Sequence, residues 1–181
     1  MFYLYHKVPE NGVRGNVLYP LSTLKVLFPD IYKAEVAKYK GREEDMQKFI
    51  PVLNCMWNDV LHLSPISPAE ICKALIAAGR KDQFSFTCFK IGAEKINASN
   101  AVIYLFSHPS NGVIDNKEIV PYQIDQLDEY KNITDLARDH YLQRLSVQKR
   151  VLLHYGLPHV LYKGNIDITS TAVETVYSSE F

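Results

Sequence analysis

The sequence predicts an α+β fold with a mostly antiparallel mixed sheet and with its helices concentrated in the N-terminal half. Helical spacing dominates the first half of the chain, and β-like runs crowd the second half. Strands and helices do not alternate regularly, as they would in a doubly wound fold. The 181 residues match the size of one domain, 1–181, and can bury a core without metal or disulfide support.

Charge and composition argue against two function classes, nucleic-acid-binding proteins and membrane proteins. Twenty basic residues balance twenty acidic ones, so no global field attracts the chain to nucleic acid. The mean hydropathy is -0.13 and no apolar run could span a bilayer, so we expect no membrane partner. The N-terminus lacks the pattern of a signal peptide, and the three cysteines lack CxxC spacing. These features predict a cytoplasmic protein with all three cysteines in the core.

Elements of the first half follow from turn residues and helix signals. The aromatic run FYLYH at 2–6 predicts a strand that ends at the turn-forming KVPENG. Helical spacing over 21–41 is broken at Pro29, which predicts two short helices, the second of which ends at Gly41. A further helical stretch is predicted over 42–50, before a proline.

The clearest helix is predicted over 68–79. Ser67 has the spacing of an N-cap with Glu70, and Pro68 occupies the first helical position. We expect this helix to pack behind the tryptophan segment described below. Its predicted buried face consists of Ile71, Leu75 and Ile76.

The second half is predicted to be mainly strand. Runs at 84–91 and 101–106 are β-like, and a helical region over 124–145 contains Thr134 as an N-cap. Three further β-like runs close the chain, namely RVLLHY, HVLYKGNIDI and AVETVY.

The segment CMWNDVLHLSP, residues 55–65, carries an amide, a carboxylate and an imidazole in an apolar run. It is predicted to be a strand or an irregular segment. As a strand it would place polar groups on both faces, where they either pair with each other or line a pocket. Asp59 and His62 would then lie on opposite faces, which argues against a shared metal.

Two other side chains are candidates for binding. His6 ends the first predicted strand, where its ring either bonds the backbone or contacts a ligand. Arg42 begins a helical stretch beside three acidic residues, a position that opposes the helix dipole. Either this is an ordinary helix start in which the three acids favour the dipole and the arginine has no assigned role, or the arginine binds a partner such as a phosphate or carboxylate.

The usual nucleotide, hydrolase and zinc motifs are absent, but the order of these clusters resembles that of ADP-ribosyltransferase-like proteins, particularly the DarT-like group of toxins. The matching pieces are YLYH, GRE, the segment from IPVLNCMWND to IAAG, and LPHVLYKGNIDI. The resemblance implies NAD as cofactor, with His6 on a ribose, Arg42 on the pyrophosphate and Trp57 beside the nicotinamide. It also implies a glutamate just before LPH, where this chain has none, so Asp59 or Asp167 would have to replace it.

The resulting hypothesis is an NAD-binding, ADP-ribosyltransferase-like domain that modifies a macromolecule. The predicted catalytic residues are Asp59 and His62, and no metal is predicted. The predicted cofactor-binding residues are His6, Arg42, Trp57 and Asn58. Two alternatives remain open: a module that binds a nucleotide or a partner without catalysis, and a structural domain whose polar groups are satisfied internally.

Overall fold

The computed structural model describes residues 1–10 and 12–181. Within them lie four α-helices: α1 Leu21–Leu27, α2 Pro29–Val36, α3 Pro68–Ala77 and α4 Asp135–Ser146. The strands are β1 Tyr3–Lys7, β2 Val17–Leu18, β3 Phe49–Ile50, β4 Cys55–Met56, β5 Leu61–Leu63, β6 Ser85–Gly92, β7 Ala101–Tyr104, β8 Ile119–Pro121, β9 His159–Tyr162, β10 Ile166–Asp167 and β11 Ala172–Tyr177. In this part of the chain no helix has both the length and the apolarity needed to cross a membrane.

The predicted α+β class is confirmed. Every pair of named strands is antiparallel, and a single-residue bridge between Phe49 and Val113 is parallel. Helices α1 to α3 fall within 21–77, as expected, and α4 comes later. The three cysteines are free and buried, which confirms their placement in the core.

A three-stranded sheet has the order β1-β6-β11, with β6 in the centre. The pairing joins Lys7 to Cys88 on one side and Glu174 to Cys88 on the other. Strand β6 is buried on both faces: Phe86 packs into one hydrophobic cluster, and Phe89 and Ile91 pack into another. The sequence prediction of strands at 84–91 and 172–177 is therefore confirmed to within one residue.

A four-stranded sheet has the order β5-β9-β7-β8. One face, with Leu63 and Ile103, packs into the largest hydrophobic cluster. The opposite face, with Tyr104 and Leu161, packs against Trp57. Since alternate residues of a strand point to opposite faces, this second face also receives the side chains of His62 and His159.

The two sheets are joined through one backbone bridge. Tyr5 N–H donates to the Ser64 carbonyl at 2.8 Å, and Ser64 N–H donates back to the Tyr5 carbonyl at 2.8 Å. This bridge sets the end of β1 beside β5. It brings His6 next to His62, 56 residues further along the chain.

The capped helices form as the sequence predicts. The Ser67 hydroxyl accepts from Glu70 N–H at 3.3 Å with Pro68 at the first position, and Thr134 Oγ1 accepts from Ala137 N–H at 3.1 Å. Pro29 begins α2 directly after α1 ends at Leu27. Helix α2 ends at Val36 rather than Gly41, because the chain tightens into a 3₁₀ turn over Ala37–Tyr39.

The predicted packing of α3 is wrong. Its buried residues Ile71, Cys72 and Leu75 contact a cluster with Phe86 and Tyr141, whereas Trp57 belongs to a different cluster. Ile76, expected on the sealed face, is only half-buried. Helix α3 therefore covers the three-stranded sheet and α4 and does not support the tryptophan segment.

The predicted strand over RVLLHY, residues 150–155, is also wrong: residues 150–152 are irregular and residues 153–156 form a turn. Side chains of α4 satisfy its backbone: Leu152 N–H donates to His140 Nε2 at 3.2 Å, and the Leu153 carbonyl accepts from the Tyr141 hydroxyl. A buried backbone needs such partners wherever no strand supplies them. The irregular path leaves His154 and Tyr155 beside the four-stranded sheet.

Candidate functional site

Four histidines gather near Trp57, on the same face of the four-stranded sheet as Tyr104 and Leu161. The ring centroids of Trp57 and His62 are 4.2 Å apart, those of His62 and His159 are 6.4 Å apart, and those of His154 and His159 are 5.7 Å apart. His6 joins this group through a 3.0 Å hydrogen bond from its Nδ1 to the His62 carbonyl. We call His6, His62, His154 and His159 the histidine cluster.

Strand register explains how two of these residues meet. His62 on β5 pairs with Leu161 on β9, and His159 on β9 pairs with Tyr104 on β7. His159 and Leu161 are two residues apart and share a face, so His62 and His159 are diagonal neighbours on that face. The sheet thereby fixes both rings from its backbone.

The Trp57 segment adopts the irregular form, one of the two alternatives predicted for it. A 3₁₀ turn over Trp57–Asp59 separates β4 from β5. The Asp59 carboxylate accepts from Met56 N–H at 2.8 Å and closes this turn. The other alternative, a strand with polar groups on both faces, is therefore wrong, because the turn interrupts the period of two.

Hydrogen bonds determine the protonated nitrogen of three rings. A backbone carbonyl can only accept, so the nitrogen beside it must carry the hydrogen. His6 Nδ1 donates to the His62 carbonyl, His62 Nε2 donates to the Trp57 carbonyl at 3.0 Å, and His159 Nδ1 donates to the Leu157 carbonyl at 2.7 Å. In the neutral ring the other nitrogen of each is then a hydrogen-bond acceptor.

Burial keeps the histidine cluster neutral. Desolvation lowers the pKa of His62 to about 4, and the nearby His6 and His154 add to the effect. Desolvation also lowers the pKa values of His154 and His159 to about 3, with repulsion between neighbouring rings acting in the same direction. The pKa of His6 falls for the same main reason. At neutral pH the four rings therefore offer lone pairs instead of positive charge.

Three buried side-chain atoms in the described part of the chain lack a hydrogen-bond partner: Glu35 Oε1, His62 Nδ1 and His154 Nδ1. All three side chains are close enough to His6 to interact with it electrostatically. The Glu35 carboxylate is close enough to oppose the fall in the His6 pKa, and His6 lowers the pKa values of both His62 and His154. Buried polar atoms are rarely left unpaired, so their concentration at one place marks this region as a candidate ligand site.

A charged rim borders this region on α2 and the turns that follow it. Lys38 Nζ contacts Glu35 Oε2 at 2.6 Å. The Arg42 guanidinium lies 5.1 Å from the Tyr39 ring and contacts Asp45 Oδ2 at 3.3 Å. Burial raises the pKa of the Tyr39 hydroxyl, while the adjacent Trp57 indole and Arg42 partly oppose that rise. Tyr39 thus connects Arg42 to the tryptophan.

Phe106 adds a strained aromatic wall. Its backbone adopts the left-handed conformation with φ 53°, which is uncommon for a bulky side chain. This conformation places its ring 5.1 Å from Tyr104 in a stacked arrangement and 6.1 Å from His159. Strain of this kind is typically maintained at functional sites.

The structure brings together some of the predicted site residues. His62 contacts His6 through its backbone carbonyl and Trp57 through its ring, and Arg42 lies over the ring of Tyr39 nearby. Asn58 is half-buried and makes none of the side-chain hydrogen bonds found among residues 1–10 and 12–181. Asp59 belongs to its own turn, with one carboxylate oxygen on Met56 N–H.

The two acids expected to replace the missing glutamate occupy other environments. Asp167 is exposed, accepts from Thr169 N–H at 2.8 Å and lies on the small β10-β2 sheet. The acid at the histidine cluster is Glu35, which the sequence prediction missed. Nothing in its helical context separates it from other acids on half-exposed helices, since its position depends on how α2 docks.

One small cavity adjoins the histidine cluster at His154, and a larger cavity lies elsewhere on the protein. The small cavity, lined by Tyr5, Lys7 and His154 among others, has a volume of about 20 Å³, which fits about one water molecule. The larger cavity, lined by residues such as Tyr3, Glu70 and Lys131, has a volume of about 330 Å³. Neither is lined by any of the six predicted site residues. The atoms of Glu35, His62 and His154 that lack partners are buried, so the candidate site is a region of buried polar atoms beside the half-buried His6 and Trp57.

No family model, curated protein or solved structure matches this chain. Over residues 1–10 and 12–181, no group of three or more His, Cys, Asp and Glu side chains has a geometry that could hold a metal ion.

Proposed function

We propose that this chain is an NAD-binding, ADP-ribosyltransferase-like domain that acts on a macromolecule. The observation that carries the proposal is the gathering of unpaired polar atoms of Glu35, His62 and His154 around His6, beside Trp57. A nucleotide offers hydroxyls and an amide for such atoms and a flat ring for the aromatic wall. The sequence resemblance points to the same ligand.

The rim supplies the charge that a dinucleotide needs. Arg42 has a side chain 36% exposed, and only single contacts at 3.3 and 3.4 Å hold its guanidinium. A guanidinium held this loosely can turn its fork to a pyrophosphate, with Lys38 beside it. Binding of the ribose by His6 and contact of the nicotinamide with Trp57 complete the arrangement.

Cleavage of the bond between nicotinamide and ribose develops positive charge on the ribose, which a carboxylate stabilises. Glu35 fits this role better than Asp59, because one oxygen of Glu35 is unpaired at the cluster while Asp59 binds Met56 N–H. The engagement of Asp59 also favours a second candidate function, which is nucleotide binding without turnover. Measurement of free nicotinamide after incubation with NAD separates the two.

Isothermal titration calorimetry with NAD tests the proposal. Wild-type protein is expected to bind NAD, and Arg42→Ala is expected to weaken binding about tenfold or more, because a charged hydrogen bond contributes about 1.5–3 kcal/mol. Arg138→Ala is the matched control, since Arg138 is 56% exposed and pairs only with Asp135 on α4. Absence of NAD binding at millimolar concentration, or equal binding by the two variants, would contradict the proposal.

A further inference from the structure

We propose that the outer edge of strand β11 is a docking surface for a second copy of this chain, through antiparallel pairing of the two β11 strands about a two-fold axis. We call this edge, Ala172–Tyr177, the β11 edge. Strand β11 is the last strand of the three-stranded sheet, and among the strands in residues 1–10 and 12–181 it pairs with β6 alone. Pairing would continue that sheet into the second copy, and it does not require NAD.

The β11 edge lacks the features that usually protect a sheet edge, which are proline, lysine and bulges. Its sequence is AVETVY, and its register with β6 is continuous from Ala172 to Tyr177. After Tyr177 the chain turns toward α3, where Lys73 Nζ lies 5.2 Å from the centroid of the Phe181 ring. Tyr177 N–H donates to Glu180 Oε1 at 3.3 Å, a long bond that covers only the end of the strand.

The hydrogen bonds to β6 show which backbone groups of β11 point outward. Ser178 N–H donates to the Phe84 carbonyl at 2.9 Å, so Ser178 faces β6. Successive residues of a strand direct their backbone groups to opposite sides, so Val173, Thr175 and Tyr177 present their N–H and C=O groups to the outside. Among residues 1–10 and 12–181, no backbone hydrogen bond uses these groups of Val173 or Thr175.

This pattern determines how two copies fit together. The two-fold register that pairs all three outward residues with one another places Thr175 opposite Thr175 of the second copy, and Val173 opposite Tyr177 of the second copy. Each such pair can exchange both of its N–H···O bonds. Val173 and Tyr177 are 57% and 53% exposed in the single chain. The register therefore sets two apolar side chains that lie in water against each other, as cross-strand neighbours.

The charge and length of the β11 edge are compatible with a weak dimer. Glu174 is the only charged residue of the strand, and Lys90 Nζ on β6 contacts its Oε2 at 3.2 Å. In the proposed register the two Glu174 residues are diagonal neighbours, about 7–8 Å apart, so these lysines limit their repulsion. An edge of six residues is about 20 Å long. It buries less than the roughly 800 Å² per partner of a stable complex, so the dimer should dissociate on dilution.

Sedimentation velocity from micromolar to millimolar protein concentration tests the inference. The wild type should change from monomer to dimer as the concentration rises. Val173→Lys should weaken dimerisation about tenfold or more, because it places a lysine at both ends of the two-fold interface. Val147→Lys is the matched control, since Val147 is 55% exposed and lies at the end of α4. A monomer at every concentration, or equal weakening by the two variants, overturns the inference.

Amide hydrogen exchange resolved by NMR identifies the surface that the dimer uses. In dilute protein Thr175 N–H should exchange rapidly, whereas Glu174 N–H, which faces β6, should be protected. In concentrated protein Thr175 N–H should become protected as well. A dimer in which Thr175 still exchanges rapidly uses another surface and overturns the inference. Protection of Thr175 in the monomer would mean that another part of the chain covers the edge, and it also overturns the inference.

Discussion

Acidification should unfold this protein through its histidine cluster. His62, His154 and His159 have pKa values of about 4, 3 and 3 in the folded protein. An unfolded histidine titrates near pH 6.5. The unfolded chain therefore binds more protons below pH 6.5, and the stability that these neutral rings provide is complete above that pH and is lost as the pH falls toward the folded values.

The size of the effect follows from those shifts. Each of these histidines lowers the free energy of unfolding of the protein by about 1.4 kcal/mol for every pH unit below 6.5. Between pH 7 and pH 5 the decrease is therefore about 2 kcal/mol for each histidine. Three rings give an upper limit of about 6 kcal/mol, which is comparable to the whole stability of an ordinary domain. Most carboxylates remain ionised over this interval, so histidines dominate the change.

Urea denaturation at pH 7, 6 and 5, followed by far-UV circular dichroism, measures this loss. His159→Asn retains a hydrogen-bond donor at the position of Nδ1 but cannot take up a proton. The free energy of unfolding of this variant should therefore fall less steeply on acidification than that of the wild type, by the slope that corresponds to about one proton. His108→Gln, which removes a ring with a side chain 83% exposed, should retain the wild-type slope. A free energy of unfolding that changes by less than about 1 kcal/mol between pH 7 and pH 5 would refute the reasoning.

Three further expectations concern single residues. Asp59→Ala should lower the free energy of unfolding by about 1 kcal/mol through loss of its bond to Met56 N–H, while the dissociation constant for NAD measured by calorimetry stays unchanged; a large loss of binding would restore Asp59 to the site. Thr134→Ala should lower the free energy of unfolding by about 1–2 kcal/mol in urea titrations, because the hydroxyl both caps α4 and donates to the Gly156 carbonyl at 2.6 Å; an unchanged midpoint would contradict this. Burial raises the pKa of the Cys88 thiol to about 11. Iodoacetamide at pH 8 should therefore label Cys88 only in denatured protein, as measured by mass spectrometry. Rapid labelling of the folded protein would contradict this prediction.

Proline and N-cap residues in the sequence determined where the helices begin and end, because these signals act on neighbouring residues. Pro29 separates two helices because it cannot continue the first, and Ser67 with Pro68 begins α3 because the hydroxyl and the ring satisfy the first turn. Strands β6 and β11 likewise form where the sequence has runs of β-prone residues. The run at 150–155 has a similar β-like pattern, but α4 supplies its hydrogen-bond partners and it forms turns.

The sequence by itself determined the α+β class and the capped helices, and it singled out His6, Trp57 and His62 as candidates, which the structure places in one cluster. Only the tertiary structure decided that His154, His159 and Glu35 join them and that Asp59 does not. The physical reason is that periodicity and capping act over a few residues, whereas the cluster depends on the bridge between Tyr5 and Ser64 and on the register of β5 with β9. These contacts join segments about sixty to a hundred residues apart. Burial where the segments meet makes the histidines neutral and leaves the acceptor nitrogens of His62 and His154 unpaired, an effect that no single side chain produces by itself.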